Sequence, residues 1–105
     1  MRTVNAGDVC TVVLVGEIDL FTSTSVSVEF ELILSRHPRP AVIHVDLLGV
    51  TFMDSMGIAI LIKAHRHATA AGCRFSVMSM SPVIANVLEM SGLRPLLVGS
   101  SDQPA

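Results

Sequence analysis

The residues with most chemical content lie in one stretch, Val50-Thr51-Phe52-Met53-Asp54-Ser55-Met56-Gly57-Ile58. A carboxylate stands beside a hydroxyl, and a glycine follows two positions on. The stretch joins an apolar run ending near Leu47 to a helical pattern starting near Ser55. In open α/β sheets, sites gather at such strand-to-helix junctions. A helix start offers unpaired N–H groups and a positive dipole end, worth about 0.3–1 kcal/mol to an exposed anion. A phosphoryl group on Ser55 is expected to be held there, and it would add roughly −1.5 to −2 charges to the surface. Gly57 is expected to leave the backbone beside Ser55 open to another protein. Plain helix capping by Asp54 or Ser55 explains the same residues without any further role.

Other chemistry finds little support. His65 and His67 are two apart and point to different helix faces. His37 and His44 belong to other elements, and no metal-binding spacing such as HExxH occurs, so no metal is expected. There is no Walker-type loop or dinucleotide fingerprint, so no cofactor is expected either. A hydrolase built on Ser55 lacks the nucleophile elbow with its flanking glycines. Cys10 and Cys73 read as small buried hydrophobes. The alternative is a redox pair stapling two strands, which a cytoplasmic setting disfavours.

These residues need elements to position them. Val9–Val15, closed by Gly16, reads as a buried strand after a polar lead-in that ends at Asp8. Ala41–Leu47, between Pro40 and Gly49, reads as a second. Cys73–Met78 is a third, and Leu96–Val98, after Pro95, a short fourth. A helix is expected from Asp54 or Ser55 to Gly72, with Ile58, Leu61, Ile62, His65 and Ala68 at helical spacing. Another runs from about Ser81, as cap, to Ser91, with Pro82 in its first turn and Val83, Val87, Leu88 and Met90 as apolar residues. Thr22–Arg36 alternates like a strand, yet parallel neighbours need a crossover and this is the only material for one, so it is read as a helix. The expected fold is α/β: a single domain over residues 1–105, with a mixed, mostly parallel sheet of about four strands covered by helices. The tail from about Ser100 is polar and expected to fray.

Composition narrows the functions. Half of the 105 residues are hydrophobic, but only 4 % are aromatic, so the core is aliphatic. The net charge is −2 with no run of Lys or Arg, which argues against nucleic-acid binding. No apolar stretch approaches the ~20 residues of a membrane span. The N-terminal residues lack an apolar signal region, and a cytoplasmic location is expected.

Three blocks resemble the STAS-domain family, and within it the bacterial anti-sigma factor antagonists. Gly16-Glu17-Ile18-Asp19, followed by Thr22, resembles the block after the family's long strand. Phe52-Met53-Asp54-Ser55-Met56-Gly57 resembles its phosphorylation loop. Ser81-Pro82-Val83, with Met90-Ser91-Gly92-Leu93 after it, resembles its last marked helix and turn. The resemblance implies that Ser55 is phosphorylated by an anti-sigma factor that is also an ATP-dependent Ser/Thr kinase. The unphosphorylated chain would bind that kinase and free a sigma factor. The phosphorylated chain would be released, and a phosphatase would restore it. The chain would thus be a switch and not an enzyme. The expected partner contacts are Asp19, Thr22, Asp54, Ser55, Met56 and Gly57, with turn and cap chemistry as the alternative for Asp19 and Asp54. A STAS subunit that binds a lipid-transport ABC complex without being phosphorylated is the second reading. Met56 departs from the Ser or Thr usual after the acceptor. The N-terminal strand is short, and the chain stops where the family continues into a further helix.

Overall fold

The computed structural model describes residues 1–92. The elements are β1 (Arg2–Ala6), β2 (Val9–Ile18), α1 (Ser23–Leu34), β3 (Val42–Met53), α2 (Ser55–Ala70), β4 (Arg74–Met80) and α3 (Pro82–Met90). The four strands form one sheet in the order β1-β2-β3-β4. β1 pairs antiparallel with β2, while β2–β3 and β3–β4 are parallel. The expected strand Leu96–Val98 and the tail from Ser100 lie outside the described residues.

The main differences from the sequence reading each have a local reason. The lead-in before Asp8 is a strand. Ala6 pairs with Val9 across a two-residue turn, and Gly7 at its first position has φ +61°. Glycine there suits a tight hairpin, because a side chain would resist that conformation. β2 does not stop at Gly16, whose φ of +80° accompanies a shift in register and not an end. β3 runs past Gly49 to Met53. A side chain at Gly49 would meet the Val15 side chain at 2.7 Å, so glycine lets the two strands continue side by side.

The segment read against its own alternation is a helix. Val26, Phe30 and Ile33 of α1 are buried at helical spacing, and Val28 and Leu32 are exposed. Right-handed crossovers between sequential strands place α1 and α2 on one face of the sheet. Phe30 accordingly meets Phe75 of β4, with ring centroids 5.7 Å apart. Glu31 and Lys63 pair between the helices at 3.5 Å, a contact too exposed to add much stability.

The buried face of α2 is Gly57, Ile60, Leu61, Ala64 and Ala68. Ile58, Ile62 and His65, expected on that face, are only half-buried. Three small residues let the helix axis come close to the sheet, which rotates the larger side chains to the flanks. In α3, Ile84 and Leu88 are buried, while Val83 and Met90 are exposed. The Ser81 hydroxyl accepts from the Ile84 N–H at 3.4 Å, and Pro82 opens the helix, as expected.

Burial alternates along β2 and β3, so one face carries the core. Cys10, Val12 and Leu14 face Ile43, Val45 and Leu47 there. Cys73 is also buried, and burial pushes its thiol pKa up, with Arg39 pulling the other way. Cys10 lies in β2 and Cys73 precedes β4, with β3 between them. Two strand spacings are roughly 9–10 Å, while a disulfide needs Cα atoms within about 7 Å. The two cysteines are therefore packing residues and not a staple.

Leu47 is fully buried near the centre of this layer. Leu47→Ala should lower unfolding free energy by about 2–5 kcal/mol. Urea titration would show this as a lower midpoint with an unchanged slope.

Candidate functional site

The three parallel strands end at one edge of the sheet, and each leads into a helix there. β2 leads through Asp19–Thr22 into α1, β3 through Asp54 into α2, and β4 through Ser81 into α3. Three positive helix ends thus share one side of the molecule. The carboxylates Glu17, Asp19 and Asp54 belong to the same end.

Asp54 starts α2. Its Oδ1 accepts from the N–H of Met56 at 2.9 Å and of Gly57 at 3.2 Å. Of the two capping candidates, Asp54 takes the role, because its extended backbone (φ −101°, ψ −170°) aims the carboxylate back at the first turn. Ser55 is left as the first helical residue. It is exposed, and no hydrogen bond occupies its hydroxyl among the described residues. Two free N–H groups of the helix mouth are already taken by Asp54. A phosphate on Ser55 would therefore stand beside a carboxylate, and the cradle expected from sequence is partly filled.

The neighbouring turn is equally well determined. Asp19 Oδ1 accepts from the N–H of Phe21 at 3.0 Å and of Thr22 at 3.2 Å. Thr22 Oγ1 accepts from the Asp19 N–H at 2.9 Å and donates to the Glu17 carbonyl at 2.9 Å. Turn chemistry thus engages both side chains that sequence offered as partner contacts. Thr22 remains exposed and Asp19 half-exposed, so each still presents an outer side.

Ile18 binds the two loops together. It pairs with Met53, and its carbonyl accepts from the Asp54 N–H at 3.3 Å. Gly57 packs against the same residue. A methyl group on Gly57 would lie 2.7 Å from Met53 Cγ and 3.0 Å from the Ile18 carbonyl oxygen. This corrects the expectation that Gly57 opens the backbone to a partner. Gly57 is buried, facing inward, because the first turn of α2 must approach β2 this closely. Met53 is buried as expected, and Met56 is exposed at the rim of an α1–α2 groove. That groove holds about 450 Å³ and is lined by residues including Ser23, Ser27, Val28, Ala59 and Ile60. Sequence reading missed Leu20 and Phe21, which stand exposed on the Asp19 turn. Two large apolar residues directly after Ile18-Asp19 were the available signal.

Among the described residues, no group of three or more His, Cys, Asp or Glu side chains is placed to hold a metal. No described helix is long and apolar enough to cross a membrane.

The sequence pattern of the family described as "Mlab, STAS domain" matches residues 1–99. The chain belongs to the STAS-domain family. Two curated relatives are similar over shorter stretches. One is an anti-sigma F factor antagonist of Lysinibacillus sphaericus, 30% identical over 60 residues, which are 57% of this chain and 51% of the relative. The chain thus matches about half the length of that relative. The other is an anti-sigma F factor antagonist of Paenibacillus polymyxa, 28% identical over 80 residues, 76% of this chain and 68% of the relative. Among solved structures, the antagonist SpoIIAA in its unphosphorylated form superposes with a TM-score of 0.78 at 20% identity, covering 92% of this chain and 84% of that one. An anti-sigma factor antagonist from Mycobacterium paratuberculosis gives 0.80 at 22%, covering 91% and 80%. These likenesses show a shared fold.

Within this STAS domain, Asp54 and Gly57 hold the loop by different means, and their variants should differ. Asp54→Ala removes a cap and should cost about 1 kcal/mol. Gly57→Val forces atoms apart at Ile18 and Met53, and overpacking of this kind costs about 1–3 kcal/mol. Chemical denaturation of the two variants beside the wild type checks both. A neutral Gly57→Val would show that α2 can move off β2 freely.

Proposed function

We propose that this STAS domain is an anti-sigma factor antagonist switched by phosphorylation of Ser55. The observation that carries the reading is the exposed, unengaged Ser55 hydroxyl at the mouth of α2, directly after the capping Asp54. The antagonist relatives in Lysinibacillus and Paenibacillus support the same reading. SpoIIAA, which shares the fold, has also been solved in a phosphorylated form, with a TM-score of 0.72 to this chain at 20% identity.

In this mechanism the chain is a substrate and a binding partner, not an enzyme. The Ser55 oxygen attacks the γ-phosphorus of ATP held by an anti-sigma factor kinase. The bond to ADP breaks, and the hydroxyl proton passes to a base on the kinase. Before transfer, the end of the sheet around Ser55 docks on the kinase and so frees a sigma factor. After transfer, a dianion stands in that contact. Asp54 already accepts the Met56 and Gly57 N–H groups, so little local positive charge is left to neutralise it. Desolvation and like-charge repulsion then favour release. A phosphatase acting on phospho-Ser55 resets the chain.

Incubation with its anti-sigma factor kinase and ATP should add one phosphate by intact mass, and Ser55→Ala should add none. No phosphate with any such kinase would point to the unphosphorylated subunit of a lipid-transport ABC complex. Ser55→Asp should keep the wild-type melting profile and weaken kinase binding by at least tenfold in calorimetry. Retained tight binding would count against charge as the means of release.

A further inference from the structure

The Asp19 turn holds two large apolar side chains in water. Phe21 is 88% exposed and Leu20 62%. Phe52, which pairs with Glu17 on the adjoining strand, is 50% exposed, and Met56 is 41% exposed one residue past Ser55. Leu20 and Phe21 lie between β2 and α1, Phe52 near the end of β3 and Met56 in the first turn of α2, all at one end of the sheet. Apolar side chains gathered in this way mark a contact surface more often than a solvated one. The backbone at Phe21 is also held in place. Its own N–H donates to Asp19 Oδ1, and Thr22 closes the turn against the Glu17 carbonyl. A pre-ordered turn loses little backbone freedom on binding, which suits an anchor residue placed on it.

Charge says what kind of surface meets it. No Lys or Arg occurs from Thr3 to Ser35 or from Pro40 to Ile62. Among the described residues, those stretches and the β4–α3 junction at Ser81 supply this end of the molecule, with Glu17, Asp19 and Asp54 around the apolar residues. Arg36, Arg39 and Arg66 belong to the opposite end, where α1 and α2 finish. Arg39 bonds there to the Leu34 carbonyl at 2.7 Å and the Ala71 carbonyl at 3.4 Å.

We infer that Phe21 is the apolar anchor of the docking surface and fits a pocket on the partner protein rimmed by Arg or Lys side chains. The inference rests on the Ser55 switch reading, because it takes the kinase as the partner. It adds that affinity and partner choice come from the α1 turn, whereas release comes from Ser55.

The test measures binding of the unphosphorylated chain to the purified anti-sigma factor kinase of the same genome. Phe21→Ser should raise Kd at least tenfold while leaving the melting temperature unchanged, since the side chain packs on little of its own fold. Phe21→Leu should recover part of the loss. Leu32→Ser, 58% exposed but near the far end of α1, should bind like wild type. Wild-type Kd should also rise with salt, as contact between acidic and basic rims requires. Unchanged Kd for Phe21→Ser, with Ser55→Asp still releasing the kinase, would overturn the anchor and leave the switch standing. A wild-type Kd insensitive to salt would overturn the basic rim. No kinase binding by the wild type would overturn both.

Discussion

The structure turns on the contact between the first turn of α2 and the end of β2. At Gly57 the helix backbone approaches Ile18 so closely that a methyl group has no room. The Asp54 N–H reaches the Ile18 carbonyl from the next strand, and the Asp54 carboxylate ties down the turn that follows. One residue of β2 therefore fixes where Ser55 stands and which way its helix leaves. The Asp19 turn starts from that same residue, so the two loops share a single support. Rigidity here matters to the proposed docking surface, because a surface assembled from separate loops keeps its shape only if the loops do not move independently.

The proposed phosphorylation of Ser55 would act against this background. Helix N-termini ordinarily welcome anions. Here the welcome is partly used, since an intrinsic carboxylate already accepts two of the free N–H groups. On the proposed reading, a phosphate on Ser55 would face outward and not its own backbone. The proposed switch thus needs no refolding of the domain. It requires only that the same surface be apolar and mildly acidic in one state and carry a concentrated dianion in the other.

Much of this could be read from the chain, and the failures have physical causes. The Asp-Ser pair was legible because a short acceptor side chain between an apolar strand and a helical pattern has few other uses. The Thr22–Arg36 helix was legible only through topology, since its local alternation favours a strand. The role of Gly57 was not legible, because glycine permits either an open surface or close packing, and only the position of Ile18 decides between them. The face of α2 was misjudged for a related reason. Gly57, Ala64 and Ala68 carry little hydrophobic signal, yet they set the approach distance. β1 was missed although Gly7-Asp8 between Ala6 and Val9 is a hairpin signal, because its strand is short, polar and exposed. The turn that presents Phe21 depends on bonds from Asp19 and Thr22 that sequence offers only as possibilities.

The central claim is that phosphate on Ser55 changes affinity and not fold. Calorimetry of the chain stoichiometrically phosphorylated on Ser55, titrated into its anti-sigma factor kinase beside the unmodified chain, tests it most directly. The account predicts tight binding for the unmodified chain and loss of measurable heat for the phosphorylated one, with superimposable circular dichroism spectra. Equal affinities for the two forms would contradict it.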